Sequence, residues 1–214
     1  MVSVYVKAFL ITALLFIGNF FFVKYLDDSR GAQLRAEMSD IEEQVQSSST
    51  LLLYSQTFNN SAELCPILRQ ETEKQVGRLY RLFGELQTAS EANVFTDTAT
   101  IKSRFVLTNV QLWLYLQQLD KACGGTDVVS VLYFYPEKRD CLECRAQAQV
   151  LNDVTARCAK VRVFALPTDA DMPVLKAIIA KYGIAREPSL VINDRRFDGL
   201  TAKDSVMAET GCAT

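Results

Sequence analysis

The sequence contains no histidine. Ser-His and Cys-His catalytic centres need an imidazole, and most zinc and haem sites use one as a ligand, so these classes are excluded. The chain is also nearly neutral, because 23 basic and 25 acidic residues leave a net charge of −2. Such a chain has no broad electrostatic attraction to nucleic acid, and we expect no nucleic-acid partner.

The N-terminal region has a long apolar run without a charge. Residues 8–23 carry none and are flanked by Lys7 and Lys24. A bilayer core needs roughly 17–25 apolar helical residues, so we predict a single-pass membrane anchor over residues 4–26. A cleaved signal peptide is the alternative, but no A-x-A site follows the run. The flanking basic residues nearly balance, and their count alone favours a cytoplasmic location for the rest of the chain.

Residues 27–124 have the pattern of a helical domain. A heptad-like spacing predicts a stalk helix continuous with the anchor, and it also allows self-association of the chain through the stalk. Two further helices of near 25 residues should fold back as an antiparallel, coiled-coil-like hairpin, opened by Asn60 with Glu63 and closed by Gly124-Gly125. The apolar positions of the stalk are Leu34, Met38, Ile41, Val45 and Leu52. Those of the hairpin are Leu68, Thr72, Val76, Leu79, Phe83 and Leu86, then Ile101, Phe105, Leu112, Leu116 and Leu119.

The hairpin is followed by a strand and a pair of cysteines. Residues 128–135 are an apolar run rich in β-branched and aromatic side chains, closed by Pro136, which is typical of a buried central strand. Cys141 and Cys144 come next, and residues 145–157 contain no proline or glycine and predict a helix. Cys141 should therefore lie at a helix N-terminus, where backbone N–H groups and the helix dipole favour a thiolate.

Strands and helices alternate through the rest of the chain. The predicted elements are a strand over residues 161–166, a helix opened by Asp171 and Pro173, two short strands joined at Asn193-Asp194, and a last helix opened by Thr201 with Asp204 and ended by Gly211. This β-α-β-α-β-β-α order, with C-x-x-C after the first strand, resembles the thioredoxin fold over residues 127–212. Two motifs carry the resemblance, CLEC at 141–144 and YGI at 182–184 followed by EPS at 187–189.

The thioredoxin resemblance implies roles for four residues. Cys141 would be the attacking cysteine and Cys144 the resolving one. Pro188 would be a cis-proline that faces the disulfide, so that an extended substrate pairs with the backbone at Glu187. The predicted fold class is thus α/β, with a thioredoxin-like domain over residues 127–214 preceded by the anchor and the helical domain.

The chain also departs from the family pattern. Asp140 replaces the usual aromatic residue, and Glu143 and Glu187 add two more acids, so we expect these three acids to raise the pKa of Cys141, partly opposing the helix dipole, and Glu143 and Glu187 to repel acidic substrates. The region where classical thioredoxins keep a buried aspartate is occupied here by Tyr133, Phe134 and Tyr135. Proton transfer should therefore differ, and we expect no strong thiol oxidant.

The other four cysteines can pair at the ends of helices. Antiparallel packing of the hairpin would bring Cys65 to Cys123, and two helices on one face of the sheet would bring Cys158 to Cys212. Alternatively, these cysteines could simply be small buried apolar residues. Two separate pairs that meet at helix ends nevertheless favour structural disulfides, and disulfides favour an extracytoplasmic location for the domain.

Two functions from different classes fit these observations. The first is a membrane-anchored thiol–disulfide oxidoreductase that acts on the cysteines of extracytoplasmic proteins, without a metal or cofactor. The second is a non-catalytic assembly module in which Cys141–Cys144 is a third structural disulfide. A zinc site built on the C-x-x-C pair is a remote third alternative, because the remaining cysteines belong to helix ends elsewhere.

Overall fold

The computed structural model describes residues 46–58, 61–91 and 98–212, together with Phe9, Leu14 and Ile17. The rest of the predicted anchor lies outside the described residues. So do the stalk positions before residue 46 and the Asn60 cap. Within the described part of the chain, no helix is both long enough and apolar enough to cross a membrane.

Two long helices precede a domain in which strands and helices alternate. Residues 46–57 are helical and come before these elements. In chain order the elements are α1 (Ser61–Glu91), α2 (Thr98–Cys123), β1 (Val129–Tyr135), α3 (Leu142–Arg157), β2 (Val161–Pro167), α4 (Pro173–Tyr182), β3 (Ser189–Ile192), β4 (Arg195–Asp198) and α5 (Lys203–Glu209).

The four strands form one mixed sheet in the order β2-β1-β3-β4. β1 pairs parallel with β2 and antiparallel with β3, and β3 pairs antiparallel with β4. The apolar run of β1 therefore lies between two other strands, which explains why it lacks alternating polar residues. The two-residue turn between β3 and β4 is made by Asn193 and Asp194, whose φ angles of 50° and 60° suit these residue types in a hairpin turn.

Helix α2 covers one face of the sheet and shares a core with it. Its buried residues, Trp113 among them, pack with Phe134 of β1 and Phe164 of β2 and with α4. Residues 52–214, which include these elements, form one compact unit. The opposite face of the sheet carries α3 and α5 and includes Val131, Tyr133 and Leu190 in its core.

Helices α1 and α2 form the predicted pair, and a disulfide joins them. Leu68 is fully buried, and Cys65 near the start of α1 is bonded to Cys123, the last residue of α2. The predicted apolar face is wrong at Phe83, which is 55% exposed and contacts the ring of Phe105 at 6.2 Å between centroids. The helix α1 is also longer than predicted and continues to Glu91.

The predicted caps of the last two helices are wrong. Met172, rather than Asp171, is the N-cap of α4, and Ala202, rather than Thr201, is the N-cap of α5; neither makes a side-chain capping bond. Thr201 instead donates its backbone N–H to Oε1 of the buried Gln147 on α3, at 2.7 Å. A contact between residues distant in sequence thus takes the place of the local capping bond.

Candidate active site

Cys141 is the N-cap residue of α3. Its backbone is extended, with φ −141° and ψ 99°, and its sulfur accepts the N–H of Cys144 at 3.1 Å. The N–H groups in the first turn of a helix have no partner in the helix itself, and the helix dipole is positive there. The geometry therefore places a hydrogen-bond donor at the sulfur atom on which a thiolate would form.

The two cysteines are bonded to each other and differ in exposure. The Cys141–Cys144 disulfide has a Cα–Cα distance of 5.2 Å. Cys144 is 5% exposed, whereas Cys141 is half-buried. A nucleophile that approaches from solvent thus meets the sulfur of Cys141 first.

Each acidic residue around the disulfide is paired with an arginine. Asp140 lies 3.2 Å from Arg145, Glu143 lies 3.8 Å from Arg186, and Glu187 lies 2.8 Å from Arg139. The three acids near Cys141 are thus each paired with a cation, and their predicted effect on the pKa of Cys141 stays a prediction. Exposed pairs of this kind contribute little to stability, but they balance the charge around the sulfur atoms.

Glu187 is held by hydrogen bonds to both oxygens of its carboxylate. Oε2 accepts from Arg139 at 2.8 Å, and Oε1 accepts from the hydroxyl of Thr168 at 2.7 Å. The next peptide bond, Glu187–Pro188, is cis, and Pro188 is buried. The segment that the sequence predicts to bind substrate is thus joined directly to the loop that precedes Cys141.

The loop between β1 and the cysteines is fixed by Asp169. Its carboxylate accepts the backbone N–H groups of Glu137 and Lys138, at 2.9 and 2.8 Å. Burial alone would raise the pKa of Asp169, but these backbone hydrogen bonds outweigh burial and hold the pKa below its usual value. The carboxylate therefore stays charged and holds the loop in place.

Two tyrosines lie beneath the disulfide on the α3 side of the sheet. The Tyr133 hydroxyl donates to the carbonyl oxygen of Cys144 at 2.7 Å, and its ring stacks on that of Tyr135 at 5.4 Å between centroids. The pKa of each tyrosine is raised to about 12, mainly by burial. Tyr135 adds a smaller increase to the pKa of Tyr133, and the negative charges of Glu137 and Asp169 add one to the pKa of Tyr135. Both hydroxyls are therefore neutral near pH 7, and they can donate a hydrogen bond without acting as bases.

The remaining cysteines form two further disulfides away from the C-x-x-C pair. Cys65 is bonded to Cys123 and Cys158 to Cys212, as the sequence predicts. Cys158 caps the C-terminal end of α3, and Cys212 follows α5. Among the residues that the structure describes, no group of histidine, cysteine, aspartate and glutamate side chains is arranged to hold a metal ion.

Sequence reasoning missed the polar partners of the site. Arg139 and Arg145 flank the C-x-x-C motif directly, and Arg186 precedes Glu187, so a count of nearby opposite charges would have suggested compensation. Thr168 gives no such signal, because it lies 19 residues from Glu187 and reaches it only through the packing of β2 beside β1.

Solved structures with a partial likeness to this chain are thioredoxins. A malaria-parasite thioredoxin-2, described as a component of the protein secretion machinery, is 18% identical, with 38% of this chain and 79% of that chain covered and a TM-score of 0.32. Chloroplastic thioredoxin z is 22% identical over 44% of this chain and 86% of that one, with a TM-score of 0.34. Desulfothioredoxin from Desulfovibrio vulgaris Hildenborough is 20% identical over 40% of this chain and 82% of that one, with a TM-score of 0.33.

No protein-family model and no curated protein matches the chain. The assignment of the fold rests on the chain's own features. These are the strand order β2-β1-β3-β4, with β3 antiparallel to β1, and the C-x-x-C disulfide at the start of α3 after a central strand. Residues 127–212 therefore have a thioredoxin-like fold.

Proposed function

We propose that the protein is a thiol–disulfide oxidoreductase that acts on the cysteines of other proteins through Cys141 and Cys144. The observation that carries this proposal is the N–H of Cys144 directed at the Cys141 sulfur at 3.1 Å. A donor at that atom stabilises a thiolate, which is the form that attacks disulfides and that leaves when a disulfide is attacked.

In the proposed reaction Cys141 makes the bond to the substrate. When the protein is reduced, the Cys141 thiolate attacks a substrate disulfide, a mixed disulfide forms and one substrate sulfur leaves as a thiolate. Cys144 then attacks the Cys141 sulfur, the Cys141–Cys144 bond forms and the second substrate thiolate is released. The reverse sequence oxidises a substrate dithiol. The difference in exposure between the two cysteines supports this division of roles.

Glu187 and Pro188 are proposed to bind the substrate backbone. The hydrogen bonds from Arg139 and Thr168 support this proposal, because they fix the Glu187 segment beside the loop that leads to Cys141. An extended peptide could pair with a fixed segment of this kind as an added strand does.

A trapping experiment tests the enzyme proposal. A Cys144→Ser variant should accumulate mixed disulfides with partner proteins, because the resolving thiol is gone, whereas a Cys141→Ser variant should accumulate few. Non-reducing gels followed by mass spectrometry measure the adducts. If both variants trap equally few partners in oxidising and in reducing conditions, the C-x-x-C disulfide is structural and the protein is an assembly module.

We further propose that the chain is anchored in a membrane through residues 4–26, with residues 27–214 outside the cytoplasm. The charge-free run of residues 8–23 supports the anchor, and the Cys65–Cys123 and Cys158–Cys212 disulfides support an oxidising compartment. Exposed Ser47 offers a labelling site. A membrane-impermeant maleimide should label a Ser47→Cys variant on intact cells, and labelling only after lysis would place the domain inside.

Self-association through the stalk is proposed on the heptad-like spacing alone. Analytical ultracentrifugation of the detergent-solubilised chain tests it, and a monomer at all concentrations would reject it.

A further inference from the structure

A cavity of about 340 Å³ lies against the Cys141–Cys144 disulfide on the α3 side of the sheet. Both cysteines are part of its wall, so any group in the cavity lies beside the sulfur atoms. Small-ligand sites in proteins span roughly 300–1,000 Å³. The cavity is at the lower end of that range, which suits a single large side chain better than an extended ligand.

The inner wall of the cavity is aromatic and apolar. Tyr133 and Tyr135 line it with their stacked rings, and Ala165 of β2 and Ala148 of α3 lie beside them. The space exists because these two positions are alanines, as a larger side chain at either would fill it. Aromatic rings bind other rings in offset or edge-to-face contact with a gain beyond that from buried area.

Each charged residue that lines the cavity has a partner of opposite charge. Arg139 is paired with Glu187 and Arg145 with Asp140, at 2.8 and 3.2 Å. The cavity is therefore not selective for a charged group through long-range attraction. The shape of the cavity and its apolar contacts therefore decide which side chain binds in it.

We infer that this cavity is a binding subsite for an aromatic side chain adjacent to the reactive cysteine of a substrate protein. The inference rests on the proposed function, because a substrate sulfur bonded to Cys141 places its neighbouring residues next to the cavity. Consecutive Cα atoms are about 3.8 Å apart, so the residue before or after the substrate cysteine is the one within reach.

The test uses the full oxidised chain and four monothiol peptides, Gly-Phe-Cys-Gly, Gly-Cys-Phe-Gly and the same two peptides with alanine in place of phenylalanine. A peptide thiolate attacks the Cys141 sulfur, the Cys141–Cys144 bond breaks and Cys144 leaves as a thiolate. A second peptide thiolate then attacks the peptide sulfur of the mixed disulfide, which gives the peptide disulfide and the reduced protein. Acid quenching, alkylation and mass spectrometry measure the rate of reduction.

At least one phenylalanine peptide should reduce the protein about tenfold faster than its alanine counterpart, which corresponds to about 1.4 kcal/mol. Ala148→Leu and, independently, Ala165→Leu should fill the cavity and remove this preference, so that within each variant the phenylalanine peptides react no faster than their alanine counterparts. Ala156→Leu is the matched control, since Ala156 is exposed on the same helix and does not line the cavity.

The possible results separate the inference from the proposed function. Equal rates for phenylalanine and alanine peptides, or a preference that survives both filling variants, would overturn the inference and leave the proposed function standing. If none of the peptides reduces Cys141–Cys144 faster than it reduces Cys158–Cys212, the proposed function fails and the inference fails with it.

Discussion

Removal of the Cys158–Cys212 disulfide should destabilise the protein strongly. The cross-link joins residues 54 apart in sequence, one at the C-cap of α3 and the other after α5. A cross-link that closes a loop of this length lowers the entropy of the unfolded chain. It should therefore contribute about 4 kcal/mol to the free energy of unfolding at 25 °C. For a protein of this size each kcal/mol shifts Tm by about 2–4 °C, so a Cys158→Ala/Cys212→Ala variant should melt about 8–16 °C lower.

The matched control is the Cys141→Ala/Cys144→Ala variant, which removes the same atoms. That disulfide spans a sequence separation of 3, so its loss should lower the free energy of unfolding by less than about 2 kcal/mol. Thermal and urea denaturation, followed by circular dichroism, measure both variants. Equal losses in the two variants, or no loss at Cys158–Cys212, would refute the assignment of a structural role to one disulfide and a reactive role to the other.

Three further predictions follow from the site. Tyr133→Phe removes the hydroxyl that donates to Cys144 at 2.7 Å; denaturation should show a loss of about 0.5–1.5 kcal/mol, and a Tyr135→Phe control that loses as much would contradict the role of this bond. Because burial raises the pKa of Tyr133 and Tyr135 to about 12 and unfolded tyrosine ionises near 10, the stability from these groups is complete below pH 10 and is lost as pH rises through 12. A midpoint near pH 10 for the tyrosinate absorbance that is lost on Tyr133→Phe or Tyr135→Phe, in the folded protein, would refute it. Arg139→Gln leaves Glu187 without its cation beside the site, so reduced Cys141 should react more slowly with iodoacetamide at neutral pH than in the wild type or in an Arg157→Gln control.

Those parts of the fold that depend on local sequence pattern could be predicted. The apolar run of β1, the helix after the cysteines and the Asn193-Asp194 turn are each specified by neighbouring residues, and the structure has all three. The position of Cys141 at the N-cap of α3 followed from the same reasoning, because the proline-free stretch after it fixes where the helix can begin.

The features that depend on tertiary packing could not be predicted. Thr201 has the right spacing for a cap, but its N–H is taken by Gln147, 54 residues away. The arginines near Cys141 are visible in the sequence, but only the fold shows that Arg186 reaches Glu143 and Arg139 reaches Glu187. Which charges meet at a site is a tertiary property, so a count of acids along the sequence does not show how each is paired.

We propose that one of the three disulfides is redox-active and the other two are structural. Titration of the purified protein in thiol buffers of graded potential, with alkylation and peptide mapping of each cysteine, separates them. Cys141–Cys144 should be reduced between roughly −270 and −120 mV, the range of redox-active thioredoxin-fold proteins. Cys65–Cys123 and Cys158–Cys212 should still be oxidised there. If Cys141–Cys144 instead stays oxidised in buffers down to about −300 mV, as the other two disulfides should, it is a structural bond and the proposed activity is wrong.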